Sequence, residues 1–219
     1  SRQQHIKAMD SVFKILNTPL GIKKIHPSFK SFPEEPNPYS GYSPGCGENG
    51  AIFCHANNWV IIAETLLKRP ERAWQYYKQL LPHLALNKAG LKTYQAEPYA
   101  YVSNIVGPEN PKFGWANVTQ VTGTATWMDI AATQYLLGIR PTLNGLLISP
   151  CLPLEWKKVS VNRIFRNCRI EVEIINSPLM KTQNSILQTE DNKIFADNLL
   201  PASEIKGKKT IKIIYKVIT

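Results

Sequence analysis

The stretch Gly45-Cys46-Gly47-Glu48-Asn49-Gly50-Ala51-Ile52-Phe53-Cys54-His55-Ala56-Asn57-Asn58-Trp59 decides how this chain is read. A glycine-rich turn carries a carboxylate and an imidazole into the start of an apolar helix. Glycines free the backbone for tight turns, whereas Glu48, Asn49 and His55 bring polar groups that need partners wherever they are buried. Such a segment makes poor core filling and reads as a site.

Outward from that turn, the chain changes period near residue 140. Before it, apolar residues recur at helical spacing over 6–16, 59–67, 70–81 and 118–137, so the N-terminal part is mainly helical. Pro70 suits a first helical turn, Glu71 lies at the positive end of that helix, and Gly138 stops the long helix before it. The connections 18–45 and 87–114 are long and rich in Pro, Gly and aromatics, which marks functional loops rather than disorder. After Gly138 come short strands over 146–149, 159–161, 168–174 and 209–215. The third alternates polar and apolar residues, as an antiparallel strand with one wet face does.

Composition narrows the class. With 219 residues, 43% hydrophobic and 19% charged, the chain can bury one or two real cores and is not disordered. No apolar run is long enough for a membrane helix, and Ser1-Arg2-Gln3-Gln4-His5 has neither an initiator Met nor the apolar stretch of a leader, so a piece of a longer, cytoplasmic chain is expected. The net charge of +10 raises the question of nucleic acid, but the lysines are scattered. Lys206, Lys208, Lys209, Lys212 and Lys216 cluster in and just before the last strand, with Lys212 and Lys216 set among apolar residues: a solvated face or a protected edge strand. Cys46, Cys54, Cys151 and Cys168 form no CxxC pair, so reduced thiols are expected and neither zinc nor a disulfide framework is. Taken singly, His55 fits a satisfied core position as well as a ligand, Thr122-Gly123-Thr124 fits a plain helix cap, and Glu48 fits a solvated loop. Trp59, Trp74 and Trp127 lie at helical spacing and read as core, while Trp115 lies in a Gly/Pro-bounded loop where it could stack on a ligand's ring.

In their order, the run over 41–55, Glu97-Pro98-Tyr99, Thr122-Gly123-Thr124-Ala125-Thr126-Trp127-Met128, Leu136-Leu137-Gly138-Ile139-Arg140-Pro141 and Ile148-Ser149-Pro150-Cys151-Leu152-Pro153 resemble the C-terminal part of a glycoside hydrolase family 94 disaccharide phosphorylase. The resemblance implies an α+β multidomain chain: the last helices and active-site loops of an incomplete (α/α)6 barrel over 1–139, then a small antiparallel β-sandwich over 140–219. It implies inverting phosphorolysis of a β-linked glucosyl disaccharide to α-glucose 1-phosphate. In that chemistry one carboxylic acid protonates the leaving oxygen, and phosphate takes the place of the activated water.

Position by position, His55, Thr122 and Gly123 match the family's phosphate contacts, the hydroxyl and amide opening a helix from about Thr124, and Glu48 matches the glutamate on the acceptor sugar. Ser103 stands near the sugar site where cellobiose phosphorylases often carry Gln, and Gly47 stands where they tend to carry Lys. Both departures point toward cellobionic acid phosphorylases, with cellobiose as the runner-up; Lys23, Lys24 or Lys30 is the candidate cation for an aldonate, against the commoner reading of these lysines as a solvated loop face. The resemblance assigns no catalytic residue to this chain, because the general acid is an aspartate upstream of the motif that neither Asp10 nor Asp129 matches. This chain alone is then expected to be inactive. It also implies no metal and no cofactor beyond phosphate as co-substrate, no nucleic acid or membrane partner, and a homodimer of the full-length protein. The rival readings are an inactive truncated product, a carbohydrate-binding or structural module, and a hydrolase. The last needs a second carboxylate for water, and none stands out among the matched motifs.

Overall fold

The computed structural model describes residues 1–30, 41–176 and 185–217, so part of the expected connection 18–45 lies outside the described residues. The chain divides into two compact units, one of residues 1–67 and 72–131, the other of residues 68–71 and 132–219.

In the first unit, α1 (Arg2–Ser11) runs on through a π turn, Val12–Leu16, into the short antiparallel pair β1 (Asn17–Thr18) and β2 (Gly21–Ile22). The strand β3 (Ile52–Phe53) feeds directly into α2 (Cys54–Leu66). Then follow α3 (Pro70–Leu80), α4 (Pro82–Ala89) and α5 (Leu91–Tyr94), each of the first two opened by a proline whose missing N–H costs nothing in a first turn. The expected loop over 87–114 therefore holds helical turns and a strand. The strand β4 (Val102–Ile105) is the middle of a three-stranded antiparallel sheet, with β3 on one side and β5 (Ala116–Thr119) on the other.

The helix expected over 118–137 begins later than its apolar spacing suggests. Ala116–Thr119 pairs in β5, and α6 (Thr124–Ile130) starts only after the Thr122-Gly123 corner, close to where the motif set it. Ile52, Ile61, Tyr76, Tyr94, Ile105 and Met128 are fully buried and close this unit's core.

The second unit carries β6 (Ile139–Pro141), β7 (Gly145–Ile148), β8 (Lys158–Phe165), β9 (Cys168–Ile175), β10 (Ser185–Thr189), β11 (Ile194–Phe195), β12 (Leu199–Pro201), α7 (Ala202–Ile205) and β13 (Thr210–Val217). One sheet has the order β12-β7-β6, the other β11-β10-β13-β9-β8. Ile139, Leu146, Ile148 and Leu200 of the first sheet share one buried cluster with Ile170, Val172, Ile174, Leu187 and Ile213 of the second.

Two expectations are corrected here. The larger sheet is mixed, not purely antiparallel, because β13 pairs parallel to β9 from Thr210 opposite Arg169 to Lys216 opposite Ile175. That strand is also no edge, being hydrogen-bonded to β9 on one side and β10 on the other. Lys212 and Lys216 are exposed because alternation turns them to the wet face, while Ile211, Ile213 and Tyr215 go inward. Among the described residues no helix is long and apolar enough to cross a membrane.

Gly138 stops the helical run as expected, at φ 71°, and its backbone lies against β7's exit: a Cβ there would stand 2.3 Å from the Ser149 carbonyl. Gly207 has φ 78° with open space around it. Gly207→Ala is expected to cost about 1 kcal/mol of left-handed strain. Gly138→Ala adds a backbone collision and should cost about 3 kcal/mol or more. Calorimetric unfolding of the two variants checks the difference, and equal losses would contradict the close approach.

Candidate functional site

The glycine-rich turn is held from inside by Asn49, which is fully buried. Its Oδ1 accepts from the Phe29 amide at 2.8 Å, and its Nδ2 donates to the Phe29 and Tyr42 carbonyls at 3.0 Å each. Its backbone closes the turn on Gly45 and Cys46, both at 2.8 Å. Gly47, at φ 48°, lies so tightly under the Tyr42 ring that a Cβ would be 2.4 Å from it. The lysine that cellobiose phosphorylases tend to carry there would have to displace that ring.

Pinned this way, the turn leaves Glu48 half-exposed, and its carboxylate accepts a hydrogen bond from the Lys24 ammonium. Lys24 also stands over the Phe53 ring, 4.6 Å from its centre, a cation–π arrangement that a partly desolvated site strengthens. Of the lysines considered from sequence, Lys24 is the one set beside Glu48. Lys23 is buried and paired with Glu109, and Lys30 is exposed.

From Phe53 the chain turns into α2, and His55 in its first turn lies 5.7 Å from the Phe53 ring. The other side of the imidazole meets Gly123, where a Cβ would be 2.9 Å from both Cε1 and Nδ1. His55 and the threonine–glycine corner, far apart in sequence, are thus in contact, and Glu48 is joined to them through Lys24 and Phe53. The His55 Nε2 is buried and has no hydrogen-bond partner among the described residues. A ring nitrogen left in that state costs about 1–3 kcal/mol, so the position is a poor one for plain core filling.

The Thr122 hydroxyl is occupied within the corner. Thr124 donates its hydroxyl to the Val102 carbonyl at 3.1 Å, so the 2.8 Å contact between the two threonine hydroxyls uses the proton of Thr122. The Thr122 oxygen also accepts from the Thr124 amide at 3.2 Å. A donor role toward a ligand therefore requires Thr122 to rotate. Ser103, on β4, accepts from Asn104 Nδ2 at 2.9 Å, and Asn104 stands opposite Phe53 in the sheet with its Oδ1 buried and without a partner among the described residues.

The tryptophans correct an expectation. Trp59 is 50% exposed and Trp127 only partly buried, and the two rings meet edge to face at 6.0 Å. Both flank the imidazole, Trp59 at 5.4 Å and Trp127 at 6.0 Å. The signal was available: Trp59 lies one turn beyond His55, and Trp127 one turn beyond Gly123, so each shares a helix face with a site residue. Asn104 had no such signal, since only sheet pairing sets it beside Phe53. Cys54, next to His55, is no nucleophile, because burial pushes its thiol up to about 12.

With this geometry in hand, residues 1–138 match the catalytic domain of the glycosyl hydrolase 94 superfamily. An N,N'-diacetylchitobiose phosphorylase of Vibrio furnissii is 35% identical over 204 residues, 92% of this chain and 25% of the relative. A 3-O-beta-D-glucopyranosyl-beta-D-glucuronide phosphorylase of Paenibacillus borealis is 30% identical over 200 residues, 90% of this chain and 25% of the relative. A cellobionic acid phosphorylase of Neurospora crassa is 27% identical over 212 residues, 94% of this chain and 25% of the relative. The chain spans about a quarter of the length of these relatives.

The turn that presents Glu48 depends on the Asn49 side chain. Asn49→Ala removes the partners of the Phe29 amide and of the Phe29 and Tyr42 carbonyls together and should lower unfolding free energy by about 2–4 kcal/mol. Thermal unfolding measures this, and a loss within experimental error would mean the turn holds without the side chain.

Proposed function

From the premise that this chain belongs to the glycosyl hydrolase 94 superfamily, we propose that the protein cleaves a β-linked glucosyl disaccharide with inorganic phosphate, inverts the anomeric centre and releases α-glucose 1-phosphate. His55 with the Thr122-Gly123 corner grips phosphate, and Glu48 with Lys24 meets the acceptor half of the sugar. The observation that carries this is the buried Nε2 of His55, without a hydrogen-bond partner among the described residues, on a ring packed against Gly123. An imidazole donating from there, a threonine hydroxyl free to rotate and the amide of a residue without a side chain are three donors suited to a tetrahedral oxyanion. Holding phosphate in line with the breaking bond replaces the base that hydrolysis needs.

The general acid is assigned to the three quarters of the relatives' length that this chain does not span. In the same reading α1 to α6 belong to an (α/α)6 barrel over 1–139, and the two sheets of the second unit form a β-sandwich domain over 140–219. Phosphate is the sole co-substrate, and the whole protein is a cytoplasmic homodimer. Ser103, on the strand beside Phe53, lies toward the acceptor.

An acidic acceptor fits the Lys24 position best. Its ammonium, already beside Glu48 and over Phe53, can bridge to a sugar carboxylate, as an aldonate would supply. Two of the relatives are phosphorylases of a glucuronide and of cellobionic acid. A neutral acceptor such as glucose is the second reading, favoured by the fact that Lys24 and Glu48 already neutralise one another.

In the intact protein His55→Ala should raise the phosphate KM well above its effect on the sugar KM, with about 2–4 kcal/mol lost from phosphate-dependent catalysis. Steady-state kinetics with phosphate varied provide the test, and an unchanged phosphate dependence removes His55 from the site. Comparable glucose release in phosphate-free buffer would overturn phosphorolysis itself. Lys24→Met should weaken cellobionic acid about tenfold, roughly 1.4 kcal/mol, and cellobiose much less. Equal losses on both sugars would favour the neutral acceptor.

A further inference from the structure

Lys23 is buried, with its side chain 6% exposed, in a unit whose other described lysines reach solvent or a half-exposed partner. A buried ammonium is expensive unless it is paired and hydrogen-bonded. Its ion-pair partner is Glu109, on the turn between β4 and β5. His26 completes the cluster, with Nδ1 2.8 Å from the Lys23 ammonium and 3.3 Å from the Glu109 carboxylate. Burial raises the Glu109 carboxyl, but the hydrogen bonds from Lys23 and His26 and the charge of Lys23 outweigh it and hold the group below its ordinary range.

The Glu109 turn grips the glycine-rich turn as well. Gly107 donates to the Gly45 carbonyl at 2.7 Å, and Asn110 Nδ2 donates to the Pro44 carbonyl at 2.9 Å. A Cβ on Gly107 would stand 2.2 Å from the Gly50 carbonyl, so the two turns are interlocked backbone to backbone. Glu109 thus reaches Lys23 from a turn that also clamps Glu48's own. Lys23 closes the run that follows β2 as a single bridge to Ile52, and Lys24 comes next at a bend, their amides bound to the Leu16 and Ala51 carbonyls at 3.0 Å each. The backbone joining the two lysines is thus held by two different segments, and with Lys23 drawn inward to Glu109 the next side chain, Lys24, is left to Glu48.

We infer that Glu109 is a positioning residue for acceptor recognition: it locks Lys23, thereby aims Lys24 at Glu48, and its turn holds Glu48 in register. This rests on the reading of Lys24 and Glu48 as acceptor contacts.

The test uses the intact protein in the synthetic direction, with acceptor and phosphate kinetics measured separately for Glu109→Gln, for Glu109→Gln with Lys23→Met, and for Glu48→Gln. Glu109→Gln should raise the acceptor KM about tenfold and leave the phosphate KM and kcat within about twofold, and the double variant, which removes the stranded ammonium, should recover much of the loss. Hydrogen exchange at the Gly45, Cys46 and Asn49 amides should quicken in Glu109→Gln. Acceptor and phosphate constants rising together, or no change in kinetics and exchange, would overturn the inference. Faster exchange at those amides, with Glu48→Gln and Glu109→Gln both leaving the acceptor KM unchanged, would uphold the hold on the turn and overturn the acceptor reading instead.

Discussion

The contact between the His55 ring and the bare Cα of Gly123 is the constraint on which the rest of the first unit's site depends. Any side chain at 123 would strike the imidazole, so α2 and α6 can bring their first turns together only because that residue is glycine. The approach buries one imidazole nitrogen without a partner, a cost that a globular core avoids and that a ligand-binding position accepts. Trp59, Trp127 and Phe53 flank the ring, and its Nε2 is buried among them, which strengthens any electrostatic interaction that nitrogen makes.

The pair of Glu48 and Lys24 is built differently. Glu48 and Lys24 lie on irregular backbone, and irregular backbone is accurate only when its polar groups are satisfied from elsewhere. Asn49 does this from within, replacing secondary structure with side-chain hydrogen bonds to Phe29 and Tyr42. The turn of Gly107 and Asn110 does it from outside. His55, Thr122 and Gly123, by contrast, ride at the starts of helices and inherit their rigidity.

Much of this was legible in the sequence. The Gly45–Trp59 stretch carried its own contradiction, polar groups in a context too apolar to leave them solvated, and local rules gave α3 its proline start and the second unit its alternating strands. Other features were not. The start of α6 departs from the spacing because Val118 and Val121 continue the helical period, while Val118 falls inside β5, between Asn117 and Thr119, which pair with β4. The lysines of β13 look alike on an edge strand and on the wet face of a central one, since alternation is the same in both. Trp59 and Trp127 looked like core because helical spacing reports which residues share a face and is silent about what that face meets.

Residue types and short-range spacing, then, determined by themselves which groups could do chemistry, the helical character of the first part and the strand character of the second, while the ordered motifs carried the resemblance to the family the chain joins. Tertiary structure alone decided that His55 touches Gly123, that Lys24 rather than Lys23 or Lys30 joins Glu48, that Thr122 spends its proton on Thr124, and that β9 and β13 run parallel. The physical reason is range: propensity and periodicity act over a few residues, whereas these contacts join segments far apart in the chain, and which partner each buried polar group finds is fixed only when the whole core closes.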